Sequence, residues 1–101
     1  MFETLKFIVD AIVRPDNAMA HYNLGNALTD KGDLDGAIAE YGTVVRLKPD
    51  DAMAHKNLGT ALWTKGDREA AFEEFHTAYR LAPNEPTIRQ IYYNLMHLLE
   101  R

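Results

Sequence analysis

The chain's 101 residues are enough for one domain; they carry eleven basic against fifteen acidic side chains, a formal charge of −4, and no cysteine. Disulfides, thiolate metal sites and thiol catalysis are thereby excluded, and without a basic run a phosphate backbone is repelled over most of the surface, which argues against nucleic acid. A cytoplasmic location is compatible with this composition: Met1 to Val13 holds Glu3, Lys6 and Asp10 instead of a signal peptide's basic start, and no apolar run approaches a membrane span.

Taken in chain order, residues 2–14 read as a helix ending at Arg14-Pro15-Asp16. A second helix is expected near Asn17 to Asp30, where His21, Leu24, Gly25 and Leu28 share one face at the helical period, with Ala20 and Ala27 beside them. Lys31-Gly32-Asp33 then breaks the chain. Gly32 suits the left-handed position after a helix, and Asp33 suits the cap of the next. A third helix near Leu34 to Lys48 presents Leu34, Ala37, Ile38, Tyr41, Val44, Val45 and Leu47, and Pro49 stops it.

From Asp50 the plan repeats. Asp16–Pro49 laid over Asp50–Pro83 gives identical residues at 19 of 34 positions, including Ala18-Met19-Ala20-His21 with Ala52-Met53-Ala54-His55, and Asn23-Leu24-Gly25 with Asn57-Leu58-Gly59. A fixed period of this length marks stacked supersecondary units that cannot bury their apolar faces alone. Gly25 and Gly59 interrupt helices at a cost of roughly 0.5–1 kcal/mol each against alanine. Close helix approach is the expected compensation, with the small Ala37 and Ala71 opposite. Glu85 to Arg101 reads as a last helix bearing Ile88, Ile91, Tyr92, Leu95, Leu98 and Leu99. Strict register puts Tyr93 at the glycine position, whereas a three-residue insertion aligns Tyr93-Asn94-Leu95 with Tyr22-Asn23-Leu24. Strict register is preferred, since terminal units are usually atypical.

The repeated motif, His21-x2-Leu24-Gly25-x2-Leu28, Ala37-x3-Tyr41, Pro49 and again His55-x2-Leu58-Gly59-x2-Leu62, Ala71-x3-Phe75, Pro83, resembles the tetratricopeptide repeat. It departs from that pattern in having His for Trp and Leu for Tyr. The resemblance implies an all-α fold, a right-handed solenoid of antiparallel helix pairs with about six helices. One domain, 1–101, then comprises a half-repeat helix (1–15), two repeats (16–49 and 50–83) and a capping helix (84–101). Phe7 falls where Tyr41 does in the pattern, and Asp10 falls where the apolar Val44 does.

Function is expected on the face of each first helix turned away from the core. Opposite Leu24 and Leu28 lie Met19, Asn23, Asn26 and Asp30, flanked by Tyr22 and Thr29; the second copy has Met53, Asn57, Thr60 and Thr64, flanked by Lys56 and Trp63. A methionine on that side in both copies is an adaptable contact surface or packing between repeats. A carboxamide offers donor and acceptor together, so Asn23 and Asn57 suit the main chain of an extended peptide whatever its side chains; the alternative is a bond within the scaffold. The family resemblance implies the former use, since some members carry a similar asparagine ladder and chaperone-binding members place it in a carboxylate clamp. That clamp also needs cations. Met19, Thr87 and Ile91 stand at its matching positions, so recognition of a chaperone's terminal carboxylate is not expected. Trp63 and Tyr22 are the candidate apolar anchors, although Trp63 also flanks the core stripe.

Catalysis finds no support. His21 and His55 lie on the core stripe, where a packed, hydrogen-bonded ring is expected before a metal ligand; His76 and His97 have no ligand spacing with them. Glu69, Glu73 and Glu74 are read as a solvated outer face, and no phosphate loop, zinc motif or nucleophile signature occurs. A non-enzymatic module that binds a protein or peptide, with no cofactor or metal, is therefore the first reading. The second is self-assembly, as a swapped dimer or a filament. It sets Phe2, Leu5, Ile8 and Ile12 at one end against Leu95, Leu98 and Leu99 at the other.

Overall fold

Helix boundaries follow the capping residues closely. The computed structural model describes residues 2–99, with side chains from Thr4 onward. The expected tail at Glu100 and Arg101, and the side chain of Phe2, fall outside the described residues. Within them lie six α-helices and no strand: α1 Phe2–Val13, α2 Ala18–Asp30, α3 Leu34–Leu47, α4 Ala52–Lys65, α5 Arg68–Leu81 and α6 Pro86–Leu99. Asn17, Asp33, Asp51 and Asp67 cap α2 to α5 by accepting from backbone N–H groups of the first turn, and Glu85 Oε2 accepts from Ile88 N at 2.8 Å to open α6. After α2 and α4 the chain reverses through Gly32 (φ +82°) and Gly66 (φ +106°), a conformation that a side chain would strain. Asp33 N to Leu28 O and Asp67 N to Leu62 O, both 2.9 Å, close the two turns identically.

The first helices begin at Ala18, Ala52 and Pro86, so strict register runs through α6. Burial agrees. Ile88 and Leu95 are buried in α6, at the places of Ala20 and Ala27 in α2 and of Ala54 and Ala61 in α4. Leu95, at 7% exposed, is therefore core, and its expected place in an exposed assembly face is corrected. No helix among the described residues is long and apolar enough to cross a membrane.

Packing divides the chain into two units, Met1–Pro49 and Asp50–Arg101, at the end of the first repeat. In the first, α2 and α3 form a hairpin and α1 lies on α2. Gly25 is buried, and a Cβ there would lie 2.6 Å from Cε1 of Tyr41. The close approach is real but its occupant is corrected: the aromatic ring, one turn beyond Ala37, takes the space. In the second unit α4 and α5 form the same hairpin with α6 against α5, and a Cβ on Gly59 would lie 2.8 Å from Cε1 of Phe75. Ala71, Phe75 and Leu95 form this unit's buried cluster.

Each hairpin is also pinned by a histidine. His21 Nε2 donates to the carbonyl of Pro15 at 2.8 Å, and its Nδ1 lies 2.7 Å from Glu40 Oε1, so one proton is shared between ring and carboxyl. His55 Nδ1 and Glu74 Oε1 repeat the contact at 2.7 Å. Glu74 is thus a structural partner, which corrects its reading as part of a solvated face.

Orientation of α1 is less regular. Its inner side holds half-buried Thr4, Phe7 and Asp10 with buried Ala11, while Leu5, Ile8, Val9, Ile12 and Val13 are exposed. Asp10 replaces the apolar residue of the repeat, so this helix docks on few apolar atoms and turns most of them outward.

Candidate functional site

In the first unit the candidate residues gather along α2. Met19 is 64% exposed, Tyr22 and Asn23 are half-buried, and Asn26 and Asp30 are exposed. Tyr22 meets Tyr41 edge to face, with ring centroids 6.0 Å apart. A hollow of about 340 Å³ opens between the helices, lined by Thr4 and Phe7 of α1 and by Asn23, Asn26 and Asp30 of α2. No described hydrogen bond engages the Asn23 carboxamide, so its donor and acceptor are both unengaged at the edge of this hollow. Asn26 is half committed. Tyr41 Oη donates to its Oδ1 at 2.6 Å, leaving the amide N–H groups for other use. The Thr29 hydroxyl donates to Gly25 O at 2.9 Å and lies 3.2 Å from Tyr41 Oη, completing a small polar network. Burial, ahead of the neighbouring charges, raises the Tyr41 phenol above its ordinary value, so it serves as a neutral donor.

The second unit builds the same positions from different chemistry. Thr60, Trp63 and Phe75 stand where Asn26, Thr29 and Tyr41 stand in the first, so the polar network has no counterpart in those side chains. Asn57 and Lys56 are half-buried, Met53 is 36% exposed and Thr60 is exposed. Trp63 is half-buried against the Ala71–Phe75–Leu95 cluster, and the Arg68 guanidinium lies 4.9 Å from its ring centroid. It is therefore core support and surface at once, because its indole also borders a hollow of about 320 Å³ between Thr60 and Thr64 of α4 and Ile91, Leu95 and Leu98 of α6. Register explains the apolar wall: Ile91 occupies the position of Asn23 and Asn57, and Leu98 that of Asp30 and Thr64.

Three contributing residues were not foreseen. Phe7 and Thr4 complete the first hollow, a role that depends on how α1 rolls against α2. Tyr41 holds the Asn26 amide, and the only sequence signal for that was an aromatic hydroxyl fifteen residues away on the paired helix. Among the described residues no three His, Asp or Glu side chains come together in a group that would hold a metal ion.

The family model described as TPR repeat matches residues 25–66, and a second, described as Tetratricopeptide repeat, matches residues 54–85. No curated protein matches. Among solved structures, the Thermobaculum terrenum O-GlcNAc transferase K341M mutant superposes with a TM-score of 0.82 at 26% identity, covering 93% of this chain and 18% of that one. The chain thus spans under a fifth of the transferase's length. The first TPR domain of Spaghetti (RPAP3) bound to the HSP90 peptide SRMEEVD gives 0.83 at 17% identity, covering 94% of this chain and 75% of that one. The Yersinia enterocolitica type III secretion translocator chaperone SycD gives 0.80 at 18% identity, covering 96% and 67%. Helical repeat architecture is common to these structures and the present chain.

Proposed function

The chain belongs to the tetratricopeptide repeat family, a family of generally non-catalytic interaction modules, and on that premise we propose that it binds an extended segment of a protein partner. The contacts come from the exposed sides of the first helices: Met19, Tyr22, Asn23, Asn26 and Asp30 on α2, and Met53, Lys56, Asn57, Thr60 and Trp63 on α4. The observation that carries this reading is the half-buried Asn23 carboxamide, which borders a hollow and is engaged by no described hydrogen bond. A strand-like guest brings unpaired N–H and C=O groups, and a carboxamide satisfies one of each. The peptide held by the RPAP3 domain of the same fold supports the class of ligand. A terminal carboxylate is not the recognised feature, because Met19, Thr87 and Ile91 replace the cations it would need.

Selection of peptides from a displayed library, followed by titration, tests the proposal. Two neutral hydrogen bonds contribute about 1–3 kcal/mol together, so Asn23→Ala/Asn57→Ala is expected to weaken binding roughly 5- to 150-fold. The loss should be similar for peptides of different sequence, since the main chain is what the amides hold. Unchanged affinity in the double variant would remove the amides from the site.

A second reading, self-assembly through the terminal helices, draws on exposed Leu5, Ile8 and Ile12 in α1 and exposed Leu98 and Leu99 in α6. Isolated exposed leucines are ordinary; several on one helix side are not.

A further inference from the structure

On α1 the exposed residues Leu5, Ile8, Val9 and Ile12, between 37% and 73% accessible, recur at i, i+3, i+4 and i+7. That is the anchor spacing of an amphipathic helix seated in a groove. The side docked on α2 is the other one, carrying Phe7 and Ala11, so the stripe is not consumed in holding the first unit together. In the second unit a cleft of about 600 Å³ borders Trp63 and is lined by Phe72, Leu95, Leu98 and Leu99, with Arg68, Glu69 and Glu73 beside them. Leu98 and Leu99 are 53% and 64% exposed.

Tyr93 excludes the simpler arrangement in which α1 of another copy pairs with α6 as a second helix pairs with a first. That pairing needs bare backbone where the partner's ring arrives, as Gly25 gives Tyr41 and Gly59 gives Phe75, with ring carbons 2.6 and 2.8 Å from where a Cβ would stand. In α6 the position is Tyr93, and α1 brings Phe7 at the ring position. Two aromatic side chains cannot share that space at the repeat's own helix separation.

We infer that two copies of this chain associate by seating the Leu5–Ile8–Val9–Ile12 stripe of one in the Phe72–Leu98–Leu99 cleft of the other. This rests on the self-assembly reading and specifies its contact. Charge selects the second copy as occupant. Among the described residues from Thr4 to Arg14 the exposed charges are the basic Lys6 and Arg14, with Asp10 half-buried on the docked side, while the charged lining of the cleft is Arg68, held over the Trp63 ring, with the exposed carboxylates Glu69 and Glu73, a net −1. The two surfaces differ, so the contact either closes reciprocally in a two-fold dimer or propagates.

Sedimentation of the full chain up to millimolar concentration tests it, with circular dichroism confirming that each variant stays helical. Wild type is expected to show at least a doubled mass. Ile8→Asp/Ile12→Asp and Leu98→Asp/Leu99→Asp each lose association alone, and an equimolar mixture of the two recovers a dimer and nothing larger, because one intact stripe then meets one intact cleft. Tyr93→Gly leaves association unchanged. A wild type that stays monomeric removes both the inference and the self-assembly reading. Association that survives all four charges and strengthens in Tyr93→Gly overturns this contact alone and restores pairing by helix replacement.

Discussion

Replacing Phe75 by alanine is expected to cost about 3–5 kcal/mol, out of a total stability on the order of 5–15 kcal/mol for a domain. The ring is 6% exposed, forms the second unit's cluster with Ala71 and Leu95, and fills the space beside Gly59. Removing it leaves a void that backbone on one side cannot collapse into. A companion substitution separates packing from helix propensity. Alanine normally stabilises a helix interior by roughly 0.8–1 kcal/mol over glycine, and Gly42→Ala in α3 should gain about that, since beyond its own turn of helix backbone nothing lies within 4 Å of the new Cβ. Gly59→Ala should lose instead. Its Cβ meets Phe75 at 2.8 Å, and overpacking costs about 1–3 kcal/mol, more than the propensity returns. In a Phe75→Leu background the Gly59→Ala penalty should shrink, because the two sites share one space. Urea midpoints at constant slope report all four changes. Equal gains at Gly42 and Gly59 would contradict the close approach.

His21→Ala is the second large effect, expected at about 2–3 kcal/mol. The imidazole is buried and joins the segment before α2 to α3 through Pro15 O and Glu40 Oε1. Its removal strands a carbonyl and a partly buried carboxylate, and each unpaired polar group costs more than the bond itself contributed. Glu40→Gln keeps the contact, because its amide N–H donates to the Nδ1 lone pair of a ring that carries its proton on Nε2, and should cost under about 1 kcal/mol. His55→Ala should lose its contact with Glu74 at comparable cost. Thermal or urea unfolding of the three variants checks the order, and a His21→Ala variant as stable as Glu40→Gln would show the contact to be incidental.

The period carried the architecture. A motif repeating at 34 residues, with Asp33, Asp51 and Asp67 ahead of helices and Gly32 and Gly66 behind them, fixes where helices begin and end, and the start of α6 at Pro86 obeys it. What the period does not carry is the contact between helices. Ala37 and Tyr41 lie one turn apart on the same face of α3, and only the axial offset of the hairpin decides which of them meets Gly25. Likewise His21 and Glu40, nineteen residues apart, are joined by that offset, as are His55 and Glu74. Rotation of α1 was also hidden. Its apolar residues form a stripe on either side, and the smaller one, ending in Ala11, is the one that docks.

At the site, positions were legible and chemistry only partly so. Met19, Asn23, Asn26 and Asp30 do share a side of α2, as helical spacing requires, and Asn23 borders a hollow. That Asn26 is already held by Tyr41, and that Ile91 and Leu98 make the second unit's hollow apolar, follow from packing against neighbours. Trp63 belongs to both readings because a large indole reaches the core with one edge and a surface hollow with the other.

Heteronuclear NMR of the chain titrated with a library-selected peptide tests the proposed function most directly. The largest shifts are expected at the side-chain amides of Asn23, Asn26 and Asn57, the backbone of Thr60 and the Trp63 indole. Shifts confined to the outward faces of α3 and α5, with those amides unmoved at saturation, would contradict it.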